Sequence, residues 1–264
     1  MTHFVQRYIL GAFLVIALVG IAHFSIAAEK IGVVLLHGKG TPDVASSSIG
    51  DLRGVLENAG YVTELPTLPW QRQRMYDATV EQAFQEIDTA VEKLRQRGAA
   101  KIVVAGHSMG GGIGMAYAAQ RPDVTGLIVI APGHVPDSPP WRKRFADDVA
   151  RAKAMIASGK GGEFATFEDR NQGKNSSLSV RANVYLSYFD PDGLAAMRNS
   201  AARLNAGTRV LWIVEEDKKK NYSAQSIKAI PESVTKEYLE LDTSHRDAPE
   251  NSADAVIAWL EKLP

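Results

Sequence analysis

The chain has 264 residues, 45% of them hydrophobic and 23% charged, which suits one globular domain with a sizeable core. Thirty basic and thirty acidic side chains cancel, so there is no cationic excess to hold a polyanion, which argues against nucleic acid as a partner. There are no cysteines, which removes disulfides, zinc–thiolate sites, a cysteine nucleophile and lipid attachment through cysteine.

At the N-terminus Arg7 supplies a positive charge, and Tyr8 to Phe24 is apolar or small apart from His23. Ser25-Ile26-Ala27-Ala28 follows, with small residues placed for signal-peptide cleavage after Ala27 or Ala28. The alternative is an uncleaved anchor, since roughly 20 helical residues can just span a bilayer. Either reading puts residues 29–264 outside the cytoplasm, periplasmic or secreted in the first case and membrane-tethered in the second.

From Glu29 onward short apolar runs alternate with longer amphipathic ones. Ile31 to Leu36 is continuous enough for a strand buried on both faces. A helix is expected over Ser47 to Asn58 and a short strand over Tyr61 to Leu65. Val80, Phe84, Ile87, Val91 and Leu94 recur at steps of four and three and end at Gly98, the signature of an amphipathic helix. Lys101 to Ala105 and Val124 to Ile130 read as buried strands flanking a helix that runs to about Gln120. Val210 to Val214 and Val234 to Leu241 read as two more, before a last helix from about Asn251 to Glu261. Strands alternating with helices imply βαβ units and a parallel sheet, an open α/β sandwich.

Residues 132–181 break the rhythm. They hold Pro136, Pro139 and Pro140, a predicted helix from about Trp141 to Ala157, and the polar stretch Gly159 to Ser177, with no clear buried strand. An insertion after a central strand, lying over the strands' carboxyl ends, is expected to act as a lid or a substrate-selecting wall.

Gly106-His107-Ser108-Met109-Gly110 matches G-x-S-x-G between a strand and a helix, the context in which a strained turn lifts a serine hydroxyl above the sheet edge. Ser108 is the candidate nucleophile, and the Met109 backbone N–H would meet a developing oxyanion at the helix N-terminus. His37-Gly38-Lys39-Gly40 follows the first strand and is expected to offer a second backbone N–H, that of Lys39. A serine needs a base, and imidazole has about the right pKa to take and return the proton. His245, between the last strand and the last helix, is the candidate. His134, at the mouth of the insertion, is its rival, and His37 reads as a residue orienting its own loop. The acid is expected beyond Val210 to Val214, where Glu215-Glu216-Asp217 precedes Lys218, Lys219 and Lys220. Asp217 is the first choice to orient the imidazole, with Glu216 and Glu215 as rivals and Asp137 and Asp190 further off.

In the order serine, acid, histidine, these motifs resemble the α/β-hydrolase superfamily over essentially everything after the N-terminal segment. The resemblance implies a three-layer sandwich with the triad on loops at the sheet's carboxyl edge. It implies an acyl-enzyme on the serine, hydrolysed by water, with no metal or organic cofactor. Two features depart from the pattern. The chain from residue 29 starts almost at the His37-Gly38 strand, so a sheet of about six strands without the usual N-terminal hairpin is expected. In the acid loop Glu215 takes the place of a common glycine and Lys218 that of a common aspartate.

The implied partner is a small-molecule or lipid-like acyl substrate. Trp70, Met75, Trp141 and Phe145 are candidates for its apolar pocket. Carboxylic ester hydrolysis is the expected reaction. Thioester, lactone or amide hydrolysis would use the same groups, and a non-catalytic binding protein that kept the fold is the rival from another class.

Overall fold

A computed structural model of the protein describes residues 29–264; the expected signal peptide or anchor, residues 1–28, lies outside them. The first strand, β1 (Ile31–Leu36), is followed by α1 (Ser48–Asn58), β2 (Val62–Glu64) and α2 (Val80–Gln96). Next come β3 (Lys101–His107), α3 (Met109–Ala118) and β4 (Val124–Ile130). The insertion comprises α4 (Pro139–Ala157), β5 (Phe164–Asn171) and β6 (Lys174–Arg181), and leads into α5 (Ala182–Phe189) and α6 (Met197–Ala201). The chain then runs through β7 (Arg209–Glu215), α7 (Tyr222–Gln225), β8 (Lys236–Leu241), α8 (Ala248–Asn251) and α9 (Ala253–Leu260).

The main sheet has six strands in the order β2-β1-β3-β4-β7-β8, all parallel. Side-chain alternation along each strand feeds two cores, one per face. Val34 and Leu36 of β1 point into one, with Phe84, Ile87 and Leu94 of α2 and Ile113 of α3. Val33 and Leu35 point into the other, with Leu52 and Leu56 of α1 and Val256 and Trp259 of α9. Period-two alternation over a strand that helices cover on both sides gives the three-layer sandwich. The amphipathic α2 is closed at its start by a capping box between Thr79 and Gln82.

Strand order reverses direction between β1 and β3. The loops that leave their carboxyl ends therefore diverge and open a crevice at that edge, where open α/β sheets bind ligands. The loop after β1 carries Lys39 and the turn after β3 carries Ser108.

The polar stretch 159–177 is not a loop. It forms much of an antiparallel hairpin, β5 against β6, with Asn171 paired to Lys174 at the tip. Gln172 and Gly173 both have positive φ, 47° and 80°, the two-residue turn whose twist suits a hairpin. One face of the hairpin is polar and exposed, which hid the strand alternation from a search for buried strands. Its other face places Phe167, Leu178 and Val180 in the same core as α2 and α3. Phe167 stacks on Tyr185, and Tyr185 on Phe189, with ring centroids 4.2 and 4.3 Å apart. The insertion is thus bonded into the domain core rather than hinged off it.

Candidate active site

Ser108 sits at φ 53°, ψ −118° between β3 and α3. A non-glycine residue at such a φ stores about 1–3 kcal/mol of strain, so the surroundings must hold it. They do: Ser108 N–H donates to Ile130 O of β4 at 3.0 Å, and Ser108 O accepts from Gly111 N–H at 3.0 Å and Gly133 N–H at 3.1 Å. Both glycines of the motif are sterically required. A Cβ on Gly106 would lie 2.2 Å from Gly110 O, and one on Gly110 2.3 Å from Leu36 O. Gly133 clears the hydroxyl itself, since a Cβ there would stand 3.0 Å from Ser108 Oγ.

His245 Nε2 lies 3.0 Å from Ser108 Oγ, and His245 Nδ1 lies 2.6 Å from Glu215 Oε1. With Nδ1–H donating to the carboxylate, Nε2 is left free to accept the serine proton. Glu215, the last residue of β7, is buried. Burial pushes its pKa up, but the hydrogen bond from His245 and the Glu215 backbone N–H outweigh it, and the net shift is downward.

The carboxylate that meets His245 is therefore Glu215, which corrects the expectation that Asp217 would make that contact. Asp217 is exposed and ion-paired with Lys218, and Glu216 is exposed with Lys219 3.7 Å away. The lysine run occupies those two carboxylates and leaves the residue at the strand end for the histidine. A glutamate, one methylene longer than aspartate, reaches His245 from the last position of β7. Asp137 is buried and accepts from Arg198 N–H at 2.8 Å, and Asp190 faces Lys153 at 3.3 Å.

The other histidines among the described residues, His37, His107 and His134, are held neutral by burial. His37 donates from Nδ1 to Gly38 O at 2.8 Å and accepts the Leu68 N–H on Nε2 at 3.0 Å, and burial lowers its pKa to about 4. His107 donates from Nε2 to His245 O at 2.8 Å, so the residue before the serine holds the backbone of the base. Burial first, and His245 second, lower the His107 pKa to about 4. That role left no mark in the sequence beyond the motif's variable position. His134 donates to Tyr188 O at 2.8 Å and lines the cavity, away from Ser108 Oγ as a base.

Lys39 and Met109 line the same cavity as Ser108. As the first residue of α3, Met109 has an N–H with no carbonyl to meet inside the helix. Gly38 packs on the turn, where a Cβ would come 3.4 Å from Ser108 Cβ. The cavity has a volume of about 470 Å³, in the range of small-molecule sites. Of the four apolar candidates only Trp141 lines it. Phe145 is buried behind Trp141, ring centroids 5.0 Å apart. Trp70 is buried, its Nε1–H donating to His37 O at 2.7 Å. Met75 is exposed, away from the cavity. In their place the hairpin tip, Arg170 to Gly173, closes one wall. Among the described residues no group of three histidine, aspartate or glutamate side chains is arranged to hold a metal ion.

Solved structures share this fold. A metagenome-derived lipolytic enzyme of the LipS and LipT pair matches with 19% identity and a TM-score of 0.60, covering 89% of this chain and 94% of that one. The monoacylglycerol lipase of Paleococcus ferrophilus matches with 22% identity and a TM-score of 0.59 over 88% and 95%. A thermostable carboxyl esterase from Bacillus coagulans matches with 14% identity and a TM-score of 0.64 over 90% and 91%. No curated protein matches the sequence. The family model described as serine aminopeptidase, S33, matches residues 65–215, more than half of the chain. The chain belongs to this family of α/β-hydrolases.

Proposed function

We propose that the protein hydrolyses a carboxylic ester through an acyl-enzyme on Ser108. The carrying observation is the unbroken relay Ser108 Oγ, His245, Glu215, at 3.0 and 2.6 Å. As Ser108 Oγ bonds to the substrate carbonyl carbon, His245 Nε2 takes its proton and Glu215 steadies the imidazolium. The Met109 and Lys39 N–H groups receive the oxyanion. The carbon–oxygen bond to the leaving alcohol then breaks as His245 returns the proton. Water, deprotonated by the same nitrogen, releases the acid and restores Ser108.

The family description raises amide hydrolysis at a peptide N-terminus as a second reading. Such a substrate brings an α-ammonium group that needs a free carboxylate. Among the described residues only one carboxylate lines the cavity, that of Glu215, and His245 occupies it. Asp43, on an adjoining cleft, is bonded to Ser46 and the Ala45 N–H. Ester hydrolysis is therefore the favoured reaction.

Turnover of p-nitrophenyl esters, short acyl through long, by the wild type and Ser108→Ala tests it. Ester turnover that disappears in the variant supports the reading. A folded wild type that turns over no ester and takes no fluorophosphonate label overturns it.

The same proposal places the enzyme outside the cytoplasm, supported by Arg7, the apolar run to Phe24 and the small residues Ser25, Ala27 and Ala28. N-terminal sequencing after cell fractionation tests this. A start at Ala28 or Glu29 marks cleavage, an intact Met1 in the membrane fraction marks the anchor, and intact cytosolic protein overturns export.

A further inference from the structure

Beyond Trp141 the catalytic cavity continues into a second one of about 320 Å³. The two share Val135, Trp141, Arg170, Asn221 and Ser223, so one extended molecule can occupy both. Among the described residues the distal cavity is lined by two guanidinium groups, Arg144 and Arg170, and by no carboxylate. Arg144 reaches Glu168 outside the cavity at 3.1 Å, and its buried Nε has no partner. Arg170 makes no ion pair among the described residues. Ser138, 1% exposed, also lines the cavity, and its Oγ has no partner.

Buried donors without acceptors are costly when left alone, and of the two cations only Arg144 has a carboxylate partner. An anionic oxygen group satisfies them together, since guanidinium groups bind carboxylate and phosphate oxygens through paired N–H donors. The approach to this cavity passes Trp141 and Val135, an aromatic and an aliphatic wall. Resting on the ester-hydrolase reading above, we propose that the substrate is an anionic ester. Its apolar section passes Trp141 and its terminal carboxylate or phosphate is held by Arg170, with Arg144 and Ser138.

Arg170 lies on the exposed face of β5, while Asp169 on the opposite face is bonded to Lys39. The Lys39 contact at position 170 is to the backbone oxygen, so a substitution of the Arg170 side chain leaves the hairpin's attachment in place.

The test compares mono-p-nitrophenyl esters of dicarboxylic acids, succinate through suberate, with neutral esters of equal length. A parallel pair, phenyl acetate and 4-acetoxybenzoate, puts the carboxylate on the alcohol. In at least one series the anionic ester should be preferred by about tenfold or more in kcat/KM, as one charge-assisted contact of about 1.4 kcal/mol requires. The preference should shrink with added salt, collapse in Arg170→Gln and return in part in Arg170→Lys, with KM carrying the change. Phosphomonoester analogues of the best carboxylate distinguish the two anions.

If neutral esters are turned over by Ser108 at least as well at every length, this inference falls and the hydrolase reading stands. If no ester is turned over, the hydrolase reading falls. Calorimetric binding of adipate to Ser108→Ala, with and without Arg170→Gln, then decides the anion site: Arg170-dependent binding supports it and its absence overturns it.

Discussion

Lys39 of the loop after β1 and Asp169 of the hairpin form an ion pair whose side chains are only 6% and 10% exposed. The Lys39 ammonium also donates to Arg170 O at 3.1 Å and lies over the rings of Tyr76 and Phe189. The loop proposed to offer an oxyanion donor is thereby tied to the hairpin whose tip lines the cavity. Removing one partner strands a buried charge, at about 3–5 kcal/mol, whereas replacing both costs less. Asp169→Leu and Lys39→Met are each expected to lower the urea midpoint more than the double variant does. Asp169→Leu should also lower kcat about tenfold or more through displacement of the loop, a change on the scale of losing part of an oxyanion contact. A double-mutant cycle in stability and kcat checks both.

Glu215→Gln keeps the side chain's size but turns the acceptor of His245 Nδ1–H into a poorer partner. It is expected to lower kcat by about 10³–10⁴ with the melting temperature nearly unchanged. Asp217→Asn touches only an exposed ion pair with Lys218 and should leave kcat within about twofold, as surface pairs contribute little. Equal losses from the two variants would refute the assignment of the acid by contact.

Acid sensitivity follows from three histidines that desolvation keeps neutral. Burial lowers His37, His107 and His134 from 6.5 to about 4. Between those values the unfolded chain holds the extra protons, so their stabilising effect is whole above pH 6.5 and is lost as the pH falls toward 4. Each contributes about 1 kcal/mol per pH unit within that window. Urea midpoints should fall steadily from pH 7 to pH 4.5, and a folded His37→Asn variant should show a shallower slope.

The close approach of α3 to β1 makes Gly110 intolerant. An alanine there would meet Leu36 O at 2.3 Å, and backbone on both sides cannot give way cheaply. Gly110→Ala is expected to cost about 3 kcal/mol or more, or to misplace Ser108. Gly54→Ala, with nothing within 4 Å of the added Cβ, is the control in circular-dichroism melts and should melt at or above the wild-type temperature.

Much of this protein is legible along the chain because the relevant signals are local. Ile31 to Leu36 and Val124 to Ile130 are strands with the predicted bounds, since an unbroken apolar run flanked by turn residues has few other uses. Ser108 is visible because its strained turn demands glycines at fixed offsets, and those offsets are contiguous in sequence. His245 is visible by elimination among six histidines. The hairpin was hidden because its outer face is polar, so only half of its side chains carry a burial signal.

What the amino-acid order alone determined is the layered fold and the pair Ser108 and His245, which the structure brings within 3.0 Å. Tertiary structure alone decided which of three consecutive carboxylates faces His245, and that Trp141 rather than Trp70, Met75 or Phe145 lines the cavity. It also decided that Arg144 and Arg170 line one cavity beyond Trp141. Each of those outcomes depends on where side chains from distant segments come to lie, and neighbours along the chain cannot encode a distance of a few ångströms across it.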